Sequence, residues 1–170
     1  MTYTKTFAAF TIMMLLSACS GNVKNISGYD DYRYQGEQYA KVTLSVPREI
    51  NQEEEKFDQI VLKKVILSKL TAENLLDGTE ASNHTIEINI DSVYLRSTGA
   101  AVMFGFMAGA DSIQGRVDLK KGEQVINSFN VDASYAAGGL VGGLDGTRMD
   151  WLYQKFAEVT AQTIKNTQTE

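Results

Sequence analysis

Among the side chains that most often act as nucleophile, base or soft metal ligand, this chain has one cysteine, Cys19, and one histidine, His84. A thiolate beside an imidazole is the arrangement of nucleophilic acyl transfer, and single residues of each type leave only one such pair to consider. His84 opens an apolar-alternating segment between Asn83 and Thr85, where it reads as an exposed strand-edge residue rather than a base. No GxSxG elbow occurs, and the counts exclude His-x-x-x-His and Cys-x-x-Cys ligand pairs. Three acids, Glu53, Glu54 and Glu55, fall in the first turn of an expected helix, where a charge run reads as a solvated face and not as a metal site. Carboxylate chemistry by Asp111, Asp118 or Asp132 remains as a reading of the chain as an envelope hydrolase, although nothing in their spacing pairs them. The expectation is a protein without catalytic residues, metal site or cofactor.

The context of Cys19 supplies a different chemistry for its thiol. Lys5, an apolar stretch of ten residues from Phe7 to Leu16, and the small residues Ser17 and Ala18 form the three parts of a secretory signal. That stretch is too short for a spanning helix, which needs about 20 residues. Leu16, Ser17, Ala18 and Cys19 resemble the bacterial lipobox. The resemblance implies cleavage between Ala18 and Cys19, a diacylglycerol on the thiol and a fatty acyl chain such as palmitate on the new amino terminus. Several acyl chains give stable anchoring, at about 0.8 kcal/mol per buried methylene. Ser20 at the next position resembles the outer-membrane sorting pattern of lipoproteins, which implies an outer-membrane location, and a periplasm-facing domain is the expected orientation. A thiol used in this way forms no disulfide.

The charge balance narrows the partners. Asp and Glu number 21 against 16 Lys and Arg, a formal net charge of −5, and removal of a leader containing Lys5 makes the remainder more acidic still. Nucleic-acid binding, which rests on neutralising phosphates, is not expected. The partners expected are the membrane, through the lipid on Cys19, and either an envelope protein or further copies of the chain.

The elements that must position these residues follow from hydrophobic period. Residues 1–18 read as the signal peptide, 19–38 as a lipidated tether, and 39–170 as a single domain of a size that builds a proper core. Within the tether, Tyr29, Tyr32 and Tyr34 either meet a partner or pack back on the domain edge. Val42, Leu44 and Val46 alternate as a strand that Pro47 stops. A helix follows, capped at Asn51, with Phe57, Ile60, Val61, Val65, Leu67 and Leu70 inward and a stop at Gly78. Ile86, Ile88 and Ile90 mark the next strand, and the change of phase to Val93 and Leu95 predicts a bulge near Asp91 and Ser92. A hairpin across Lys121 and Gly122 sets Ile113, Val117 and Leu119 against Val125, Phe129 and Val131. A final helix carries Met149, Leu152, Phe156, Val159 and Ile164, with Asp145 or Thr147 as cap. The expected fold is α+β: a mainly antiparallel sheet of about four strands with two helices on one face, in the order β-α-β-β-β-α.

Two connections are apolar where loops are normally polar: residues 97–111 and 135–146. They carry Gly99, Gly105 and Gly109, and Gly138, Gly139, Gly142 and Gly143, with Phe104, Phe106 and Met107 in the first. They fit neither a phosphate loop nor a spanning helix. Three readings stand: buried close-packing loops, an exposed patch for a partner or another copy, or segments that dip into lipid beneath the anchor. Phe104, Gly105, Phe106, Met107, Gly109, Gly138, Gly139, Gly142 and Gly143 are the candidate contact residues.

The segments "STGAAVMFGFMAGADSIQGRVDL", "FNVDASYAAGGLVGG" and "RMDWLYQKFAEVTA" resemble a bacterial family of outer-membrane-type lipoproteins, the domain of unknown function 4410, over roughly residues 80–170. That family carries no established activity, so the resemblance implies no catalytic residue. In architecture the chain is also similar to envelope lipoproteins that assist assembly or export, including the curli-secretion channel lipoprotein and the activators of peptidoglycan synthases. The leading expectation is a non-enzymatic, lipid-anchored accessory protein in envelope assembly or transport. An oligomeric, membrane-inserting secretion-pore lipoprotein is the alternative, although the apolar stretches lack the alternation of a barrel strand.

Overall fold

The computed structural model describes residues 19–53, 56–77, 82–138 and 143–166. Its elements are β1 (Cys19–Asn25), β2 (Lys41–Ser45), α1 (Arg48–Glu53), α2 (Gln59–Ala72), β3 (His84–Tyr94), α3 (Thr98–Phe104), a 3-10 turn (Gly105–Ala108), β4 (Asp111–Lys121), β5 (Gln124–Tyr135) and α4 (Asp145–Asn166). The five strands form one sheet in the order β1-β5-β4-β3-β2. All neighbours run antiparallel except β2, which lies parallel to β3. The fold is α+β as expected, with one more strand and two more helices.

The additional strand is β1, in the segment expected to be a tether. Cys19–Asn25 pairs along its whole length with Phe129–Tyr135. Its sequence shows no apolar alternation because the strand packs through an absent side chain. A Cβ on Gly21 would lie 2.3 Å from Val159 Cγ2 of α4, so only glycine lets the strand lie this close to the helix. The tyrosines that follow pack back on the domain: Tyr34 is buried, and Tyr32 donates its hydroxyl to Glu37 and lies within hydrogen-bond distance of Tyr39.

The helix expected from Asn51 divides in two. Asp58, in an extended conformation, accepts from the Ile60 and Val61 amides at 2.8 and 3.1 Å and starts α2 anew. Phe57 before the cap and Leu62 four positions after it are both buried, the positions of a hydrophobic staple. The inward stripe of α2 is Leu62, Ile66 and Leu70, while Ile60 and Val61, expected inside, are exposed. The helix stops at Asn74, which takes φ 57 and lets the Leu75 amide return to the Leu70 carbonyl. The expected stop, Gly78, lies outside the described residues, as do Glu54 and Glu55.

The hairpin and the bulge are as read from the sequence. The β3–β4 register shifts between Ile90 and Ser92, and β4–β5 turns at Gly122, with a second shift at Leu119 and Lys120. Ile113, Val117, Leu119, Phe129 and Val131 are buried, and Val125 is half-buried. His84 is half-buried rather than exposed: its ring meets Tyr39 edge-on and its Nδ1 lies 3.3 Å from Ser82 Oγ. α4 covers β1, β5 and β4 and packs against α2, so the core lies between the helices and one face of the sheet.

Candidate functional site: one end of the sheet

The strand register brings Cys19, Asp111 and the two glycine-rich connections to a common end. Cys19 stands opposite Tyr135, Tyr135 opposite Asp111, and Ser112 opposite Tyr94. Both glycine-rich connections, from β3 to β4 and from β5 to α4, therefore leave the sheet at the same end as Cys19.

Ser97 caps α3 by accepting from the Ala100 amide. The short helix presents Met103 and Phe104 outward, 75% and 63% exposed, and the 3-10 turn adds Met107 at 79%. From Ser97 to Ala110 the sequence contains no charged residue. Leu144, ahead of α4, and Trp151 within it are also exposed. Gly105 and Gly109 take φ 53 and 89, conformations that favour glycine. A Cβ on Gly138 would lie 2.2 Å from Gly105 Cα and 2.5 Å from the Ala101 carbonyl oxygen, so the two connections touch through backbone. Gly143 is buried. Gly139 and Gly142, and the Phe106 side chain, lie outside the described residues. The end of the sheet thus has close-packed glycine backbone beneath and exposed apolar side chains above.

A buried ionic cluster holds this arrangement, and sequence reasoning missed it. Arg96, Asp111 and Arg148 are all buried. Asp111 accepts from Arg96 Nη2 at 2.9 Å, the Arg96 amide at 2.8 Å, and Arg148 Nη1 at 2.9 and 3.1 Å. Arg96 then donates to the carbonyls of Gly105, Gly109, Tyr135, Ala136 and Ala137, tying both connections to one guanidinium. Arg148 reaches the Arg96 carbonyl and Asp145. Asp145 also takes Thr98 Oγ1 at 2.7 Å and Lys56 at 3.1 Å. Burial pushes the Asp145 carboxyl up, but the hydrogen bonds from Thr98, Arg148 and Lys56 outweigh it and hold it at about 2. The signal was present in phase: Asp111 shares the inward parity of Ile113 and Val117, and Arg148 the helical stripe of Leu152 and Phe156. A charge in an inward position needs a partner.

The three carboxylates considered for hydrolysis are not brought together. Asp111 lies between the two arginines at one end of β4, Asp118 accepts from Ser128 towards the other, and Asp132 accepts from Gln114. Among the described residues no group of three His, Cys, Asp or Glu is placed to hold a metal ion.

A family profile described as "Domain of unknown function (DUF4410)" matches residues 30–139. The chain belongs to that family. The match begins earlier than the resemblance in the motifs suggested and stops before α4. No curated protein matches the chain. Among solved structures, a PelC dodecamer from Paraburkholderia phytofirmans is similar at 12% identity, covering 89% of this chain and 99% of that one, with a TM-score of 0.50. A second crystal form of PelC from the same organism gives 10% identity, 89% and 100% coverage and a TM-score of 0.48. A minor lipoprotein from Acinetobacter baumannii gives 13%, 75%, 89% and 0.30. At these identities this member of the family shares with the first PelC structure its fold alone.

Proposed function

We propose that the chain is a non-enzymatic accessory lipoprotein of the bacterial outer membrane, facing the periplasm and acting in envelope assembly or transport. Residues 1–18 are its signal peptide and Cys19 its lipid attachment point. The observation that carries the proposal is the place of Cys19: it heads a strand of the sheet beside Tyr135, at the end where Met103, Phe104, Met107 and Leu144 are exposed. Acyl chains on Cys19 would hold this end at the lipid surface without an intervening tether, so the apolar side chains would meet lipid headgroups and acyl tails. Each large apolar side chain contributes about 1.5–3 kcal/mol when fully buried, which reinforces the anchor without replacing it.

A second reading, in which copies of the chain assemble, is supported by the fold relative, which is described as a dodecamer. No helix among the described residues is long and apolar enough to cross a membrane, which leaves strands or loops for any inserted pore. Membrane fractionation of wild type and Cys19→Ala separates the readings. The proposal expects the variant in the soluble fraction and wild type in the membrane. A variant that resists extraction as a large oligomer would replace the tethered module with the pore.

A further inference from the structure

At the opposite end of the sheet, β1 runs out at Asn25 and the chain turns back past the C-terminal end of α4. A cleft of about 530 Å3 opens there, within the range of small-ligand sites. Tyr29, Asp30, Tyr32, Arg33 and Asn127 are among the residues that line it.

Asn127 is the anomaly in this wall. It shares the inward parity of Phe129, Val131 and Ala133 on β5, yet it is polar and only 6% exposed. Its Oδ1 accepts from the Ser128 amide at 2.9 Å, and its side chain lines the cleft. A polar side chain stands here at a position where leucine or valine would satisfy the core. The amide group is what Asn127 offers the cleft.

The remainder of the wall says what would accept it. Asp30 and Arg33 cancel in charge, so the cleft selects neither an anion nor a cation, and Val23 and Ile26 are too small an apolar share for a lipid tail. Two half-buried tyrosines, Tyr29 and Tyr32, share the wall with the polar groups. The Tyr32 ring is pinned, because its hydroxyl is committed to Glu37 and Tyr39. Arg33 Nη1 donates to the Asp30 and Tyr32 carbonyls at 2.7 and 2.9 Å and fixes the turn that carries both tyrosines. A wall that combines tyrosine rings, planar amides and a charge-balanced pair fits a ligand that offers C–H faces and many hydroxyl oxygens but no charge.

We propose that this cleft binds a short, uncharged oligosaccharide, with Asn127 Nδ2 donating to a sugar oxygen and Tyr29 and Tyr32 stacking against the rings. The cleft lies at the pole away from Cys19, and the inference does not depend on acylation.

The test uses the full-length chain in a sugar-free detergent, titrated with maltotetraose, chitotetraose and tetra-alanine while the Asn127 side-chain amide is followed by NMR. A shift of that amide with either tetrasaccharide, and at least a tenfold loss of affinity in Asn127→Leu with no fall in melting temperature, is the expected result. No shift with either sugar at millimolar concentration overturns the proposal. A shift with tetra-alanine alone also overturns it and makes the cleft a peptide site. If Asn127→Leu does not fold, Tyr29→Ala reads the same question: a tenfold loss supports the site, and unchanged affinity overturns it.

Discussion

Asp111 is the carboxylate on which two buried guanidinium groups converge, and through Arg96 it fixes the backbone of both glycine-rich connections. Removing one partner of a buried ion cluster leaves uncompensated charge and costs about 3–5 kcal/mol. Asp111→Ala is therefore expected to lower the unfolding free energy in urea by about that amount, whereas Asp132→Ala, on the exposed face of β5, should change it by less than about 1 kcal/mol. Asp145 adds a pH dependence. Its carboxyl is held at about 2, below the ordinary 3.8. A group lowered on folding stabilises the fold above its unfolded value and loses that contribution as pH falls towards the folded one. Urea midpoints should decline between about pH 4 and pH 2, and Asp145→Asn should flatten that decline. Asp111 and Arg148 were readable as inward charges from their phase, but their partnership was not, since it joins positions 37 apart in the chain.

Among elements, β1 shows most clearly what periodicity misses. Strands are recognised by the large apolar side chains they bury, and β1 is positioned by Gly21, whose missing Cβ admits Val159. Gly21→Val is expected to push β1 off α4. Hydrogen exchange would show it: the amides of Cys19–Asn25 should exchange at least tenfold faster while β3 and β4 keep their protection. The charge pattern across residues 51–78 is continuous and reads as one helix, whereas the structure places Asn51 inside the short α1 and starts α2 at the Asp58 cap. α3 leaves little trace in the sequence, because glycine and alanine give little amphipathic pattern. Its exposed face has a separate test. Phe104→Ser combined with Met107→Ser should leave the melting temperature unchanged, since both side chains are exposed, and should weaken binding of the Cys19→Ala chain to phospholipid vesicles at least tenfold.

For the whole molecule, the sheet separates two poles. Cys19, the glycine-rich connections and the arginine cluster occupy one, and the polar cleft around Asn127 the other. The α+β class, the hairpin, the bulge and the last helix were legible because each rests on local period. Which residues share a pole was not, because it depends on strand register and on a strand that hides its period. On the proposed reading, an anchor at Cys19 would turn the pole that carries the Asn127 cleft away from the membrane.

The most direct test is the intact mass of the protein purified from the membrane fraction, wild type beside Cys19→Ala. The account predicts a wild-type chain that begins at Cys19 and carries diacylglycerol and an amide-linked acyl chain, and a variant without them. A membrane-bound wild type with an unmodified Cys19 would contradict it.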